Sequence, residues 1–134
     1  MRIRRHRIIK NEKGASAVEF ALILPILIIL VFGIVQFGIA YNNYIALTHA
    51  AREGARLAAV GKYEELGVDE FEERVRESAP TVQIETITVE NPDGISIGSK
   101  IVITVTGKVL NIEIPLVGSW PVQLTSQATM RREQ

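Results

Sequence analysis

The sequence predicts an α+β chain in which one long N-terminal helix, half transmembrane and half outside the bilayer, packs on a small antiparallel β-sheet. Three observations lead there. An apolar run from Phe20 to Tyr41 is long enough to cross a bilayer, and its helical pattern continues unbroken to Gly61. After Pro80 the apolar residues change from a helical to a two-residue period. The 134 residues divide accordingly into a basic leader at 1–14, the long helix at 15–61 with its span at about 20–41, and a small α+β domain at 62–134.

The leader carries Arg2, Arg4, Arg5, Arg7, Lys10 and Lys13 against the single acid Glu12 and reads as a disordered basic tail. The run that follows, FALILPILIILVFGIVQFGIAY, has Gln36 as its only strongly polar member. A helix rises about 1.5 Å per residue, so roughly 20 residues cross the ~30 Å hydrocarbon layer. The next charge beyond the run is Arg52. Positive charge on one flank places the leader in the cytoplasm and the domain on the far side of the membrane. Pro25 lies in the first turns of the span, where it removes one intrahelical donor and can bend the helix.

Beyond the span, Ala46, Ala50, Gly54 and Ala58 recur every four residues, with Ala51, Ala55 and Ala59 beside them. Residues four apart share a helix face, so this side is nearly bare backbone. It serves as a packing seam, for the chain's own sheet or for neighbouring helices, or it is alanine-rich merely for propensity. Pro25, Gly33 and Gly38 of the span are grouped with these as helix-packing positions.

Val68 to Ser78 reads as a short amphipathic helix with Val68, Phe71 and Val75 on one face, ended by Pro80. TVQIETITVE, from Thr81, alternates with a phase slip near Glu85 and Thr86 that suggests a bulge. An NPDG turn at Asn91 to Gly94 follows. Lys100 to Ile112 forms one strong β run, and Val122 to Met130 alternates cleanly. Three or four strands are expected, with the sheet covering the small-residue seam.

Composition narrows the chemistry. Formal net charge is zero, so no global field recruits nucleic acid. The absence of cysteine excludes disulfides, a thiol nucleophile and thiolate ligands. His6 and His49 have no metal-ligand spacing, so neither a metal nor a cofactor is expected. Glu70, Glu72, Glu73 and Glu77 surround an amphipathic helix with basic neighbours, as solvated residues do. No nucleophile elbow or phosphate loop is present, and an enzyme is not expected. Glu53 and Arg56, three apart outside the membrane, form a solvated pair or an intersubunit contact.

The border of the span is the most informative stretch. In Lys13-Gly14-Ala15-Ser16-Ala17-Val18-Glu19-Phe20, a carboxylate stands at the edge of an otherwise uncharged run. Charges deep in a bilayer are costly and rare, although a border residue can simply be solvated by headgroups. A basic tail, a glycine, a glutamate five positions on and then an apolar helix resembles a class III signal sequence. That resemblance implies cleavage by a prepilin peptidase between Gly14 and Ala15, which leaves Glu19 as the fifth mature residue. A cationic amine at Ala15 and Glu19 of adjacent subunits would then compensate one another in an apolar filament core.

Gly14, Glu19, Pro25, Gly33 and the AAREGAR block from Ala50 to Arg56, with the closing ATMRRE, resemble the TadE/TadG-like family of tight-adherence (Tad, or Flp) pilus systems. The resemblance covers the first sixty residues well and the final segment weakly. It implies a pilin-like fold and a structural subunit, a minor pilin or pseudopilin, held in the inner membrane and active in pilus biogenesis or adhesion. Its implied partners are the prepilin peptidase, other pilin-like subunits with the assembly machinery, and the lipid bilayer. The alternative is an uncleaved, signal-anchored binding module. Ordinary secretion with cleavage near Thr48-His49-Ala50 fits less well, because the apolar run exceeds the usual 7–15-residue signal core.

Overall fold

The computed structural model describes residues 12–91 and 96–133. Most of the basic leader, and Pro92 to Gly94 of the expected NPDG turn, therefore lie outside the described residues. Helix α1 runs Glu12–Ala59, 48 residues, and stays helical through Pro25. At about 1.5 Å per residue it is roughly 70 Å long. Gly61 ends it at φ +77°, a left-handed conformation that glycine adopts without steric cost, and its N–H donates to the Ala58 carbonyl at 3.1 Å. The Ala59 carbonyl, which has no acceptor role left within the helix, takes the N–H of Glu133 at 2.9 Å.

The expected polar link after Gly61 is itself a short helix, α2 (Lys62–Leu66), followed by α3 (Val68–Glu77). Phe71 and Val75 are fully buried, and the Tyr63 ring meets Phe71 edge-on at 5.1 Å. Val68 departs from expectation. It is 51% exposed, because it opens the helix directly after Gly67 and only the later turns of α3 reach α1.

Strands β1 (Ile84–Glu90), β2 (Lys100–Gly107) and β5 (Thr125–Arg131) form an antiparallel sheet in the order β1-β2-β5. The pairing of β1 with β2 shifts register between Ile84 and Thr86, where the sequence slips phase. The extra residue keeps both Ile84 and Ile87 toward the core and turns Glu85 outward, where it accepts a hydrogen bond from Gln123 Nε2 at 2.8 Å. Ile101, Ile103 and Val105 of β2 face the outer half of α1 and, with Leu47, Ala50, Ala51, Ala55, Ala58, Phe71 and Val75, make the core.

The single β run expected from Lys100 to Ile112 is two strands in two sheets. β2 stops at Gly107, and β3 (Leu110–Ile114) pairs instead with β4 (Gly118–Val122) in a separate hairpin. The break falls where the main sheet ends. At Gly107 the strand has packed tightly on the helix, where a Cβ would lie 3.0 Å from Leu47 Cδ1, and it has run out of partners: Gly107 pairs with Ile84, the first residue of β1, and Thr106 with Thr125, the first of β5. Lys108 N–H then turns to the Gln83 carbonyl at 2.8 Å. Val122, expected to open the last strand, closes β4, and β5 starts at Thr125.

Candidate functional site

The surface that carries the chain's distinctive chemistry is α1 itself, which changes character along its length. From Val18 to Tyr41 no window of it is buried, and Leu22, Ile26, Ile34 and Phe37 are 65–71% exposed. A helix apolar on all sides and largely bare of protein suits lipid, and this one is long and apolar enough to serve as a single-pass membrane anchor.

At its start, Gly14 and Ala15 are the third and fourth residues of α1. Glu19 lies one turn beyond Ala15 and is exposed. Among the described residues no side chain pairs with it. Gly33 and Gly38 leave open space where a side chain would stand, with nothing within 4 Å of an added Cβ. These positions are therefore bare toward lipid or a neighbouring helix, not toward the chain's own domain.

Ala46, Ala50, Gly54 and Ala58 face the other way, into the chain. Ala50 and Ala58 are buried and Ala46 packs against the core. A Cβ on Gly54 would meet Ile103 Cγ2 at 3.1 Å and Val75 Cγ2 at 3.2 Å. The seam is thus closed by β2 and α3 of the same molecule. It also holds one polar contact: Thr48 Oγ1 donates to the Tyr44 carbonyl at 2.9 Å and lies 3.0 Å from the buried Ser126 Oγ.

On the outward face of the same turns, His49, Arg52, Glu53 and Arg56 line a shallow cleft with Ser78 and Met130. Arg56 donates to both Glu53 oxygens, at 2.9 and 2.6 Å. That bidentate hydrogen bond holds the Glu53 carboxyl below the usual glutamate range, against a smaller opposing effect of burial, and raises Arg56 in turn. Among the described residues no three His, Asp or Glu side chains gather around a common point as metal ligands do.

One part of the site escaped the sequence reading. The β3–β4 hairpin does not join the main sheet; it lies against the span, sharing a cleft with Phe32 and Gln36. The signal was present in the apolar residues around Pro115 and Gly118 and in Trp120, but nothing local said which surface they face.

Residues 14–56 match the family model described as TadE-like protein. Over these residues the helix is similar to TadE-like proteins. The match begins at Gly14 and ends at Arg56 of the AAREGAR block, so the resemblance read from the sequence holds over this stretch. It does not extend to the sheet or to the closing Ala128 to Glu133. No curated protein and no solved structure matches the chain. The TadE-like segment therefore contains the anchor, the charged border at Glu19 and most of the small-residue seam, and the domain beyond it is built on that seam.

Proposed function

We propose that this chain is a structural, pilin-like subunit of a Tad-type pilus, a minor pilin or pseudopilin, matured by a prepilin peptidase between Gly14 and Ala15. The observation that carries the reading is the TadE-like match over an exposed apolar helix that opens with Gly14 and Glu19. The precursor inserts with its basic leader in the cytoplasm, as its charge asymmetry favours. A prepilin peptidase then cuts after Gly14, on the cytoplasmic side where the leader lies. The new amine at Ala15 then meets Glu19 of a neighbouring subunit as helices pack, so that neither charge is left alone among apolar side chains.

The size of the domain argues for a minor role. A bulk filament subunit of this type is little more than the helix, whereas this chain carries about 70 further residues, roughly half of a typical domain. Such a subunit suits an initiation or tip complex, with the other pilin-like subunits, the assembly machinery and the bilayer as partners.

Mass analysis of the N-terminus, on protein extracted from membranes of cells with an active prepilin peptidase, should find a chain beginning at Ala15. An intact leader would defeat the proposal and leave the signal-anchored module. Glu19→Ala should abolish assembly while membrane insertion persists; an ordinary anchor would be indifferent to it.

A further inference from the structure

The β3–β4 hairpin is placed where lipid should be. Ile114, Pro115, Gly118 and Ser119 at its tip share a cleft with Phe32 and Gln36. These two stand nine and five residues before Tyr41, hence about 14 and 8 Å below the outer end of the apolar run. The hairpin lies along a definite face of the helix. Gln36, Ala40 and Asn43 are half-buried, while Leu30, Ile34, Phe37 and Ile39 are 45–71% exposed. The covered positions continue at the same spacing into Leu47 and Ala50, the face that packs on the sheet.

The tip is dressed for an apolar medium. Ile114 to Val117 form a tight turn closed by Val117 N–H to the Ile114 carbonyl at 3.1 Å. Pro115 takes the second position, and Leu116 the third at φ +68°, where glycine or asparagine is the unstrained choice. A leucine held in that conformation with 79% of its surface exposed is unfavourable in water on both counts. Val117 is 49% and Trp120 46% exposed beside it. Trp120 is two residues up the strand from Gly118, about 7 Å further from the tip, which brings it toward the level of Tyr41 and Tyr44. Aromatic side chains of this kind concentrate at the membrane–water boundary. Glu113 sits across from Ser119 and shares the cleft with Gln36, and its long side chain can carry the carboxylate back toward the headgroups.

We infer that the β3–β4 hairpin is a second membrane-contacting element: its tip at Pro115, Leu116 and Val117 enters the leaflet on the domain's side of the bilayer, with Trp120 at headgroup depth. The occupant of its apolar surface is lipid. The inference rests on reading α1 as a membrane anchor and adds a second point at which the domain meets the bilayer. Lifting the subunit out of the membrane then requires withdrawing the hairpin as well as the helix.

Trp120 is the chain's single tryptophan, which allows a direct test. The full chain is reconstituted at low protein-to-lipid ratio into phosphatidylcholine vesicles carrying bromine at defined acyl depths. Flotation with the vesicles reads the anchor alone. Trp120 emission should be quenched by shallow-brominated lipid and spared by aqueous iodide, and in W120F/V117W the strongest quenching should move to deeper bromine. Floating protein whose Trp120 responds to iodide and ignores brominated lipid would overturn the inference while leaving the anchor intact. Protection from both quenchers would overturn it too, in favour of a protein neighbour on the hairpin. Failure to float would defeat the anchor and the hairpin reading together.

Discussion

Gly54 is where the helix, sheet and short helix are pressed closest, and replacing it should separate packing from helix propensity. In an isolated helix Gly54→Ala would gain about 1 kcal/mol. Here the new methyl would stand 3.1 Å from Ile103 Cγ2 and 3.2 Å from Val75 Cγ2. Both are β-branched and fully buried, so neither can rotate away without a clash elsewhere. Overpacking a dense core costs about 1–3 kcal/mol, which exceeds the propensity gain, and Gly54→Ala should destabilise by about 1 kcal/mol net. Gly54→Leu adds three more carbons at the same point and should cost at least the upper end of that range, about 3 kcal/mol. For a unit of about 90 residues each kcal/mol lowers Tm by about 4–8 °C, so the leucine variant should melt 12 °C or more below the parent. The assay is thermal unfolding of the full chain in detergent, followed by near-ultraviolet circular dichroism. Gly33→Leu, made where nothing lies within 4 Å, is the control and should leave the domain's Tm unchanged. If Gly54→Leu melts with the parent, the seam is not gripped by the chain's own sheet, and the reasoning fails.

Other consequences are equally direct. Thr48→Val removes the partner of the buried Ser126 hydroxyl and should cost about 1–2 kcal/mol in urea unfolding, more than Ser126→Ala, which leaves Thr48 its bond to the Tyr44 carbonyl. Phe71→Ala empties a fully buried site against Tyr63 and should cost about 3–5 kcal/mol, enough to leave much of the domain unfolded at 37 °C by circular dichroism. Because the folded-state pKa of Glu53 is depressed, its contribution is present above the ordinary glutamate range and is lost as pH falls through the lowered value. Tm measured against pH should therefore show a small advantage of the parent over Glu53→Gln near neutrality that vanishes in acid; a constant gap would contradict the pairing with Arg56.

Hydropathy and periodicity by themselves determined the anchor, the length of α1, the short helix around Phe71 and the bulge at Glu85. Each of these is written in neighbouring residues, because a run of apolar side chains, a spacing of four or an interrupted alternation acts over a few turns or rungs. The end of α1 at Gly61 belongs with them, since only a residue at ease at positive φ closes a helix that way. What the tertiary structure alone decided is where surfaces meet. The sequence leaves the small-residue face of Ala50, Gly54 and Ala58 equally suited to a neighbour's helix, and only the arrival of Ile103 and Val75 shows it filled from within. The division of Lys100 to Ile112 into two strands follows the reach of its partners, since Gly107 pairs with Ile84 and Thr106 with Thr125, the first residues of β1 and β5. No local pattern could report where distant partner strands stop. The contact of Ile114 and Pro115 with Phe32 and Gln36 likewise joins residues about eighty positions apart, which only the folded chain brings together.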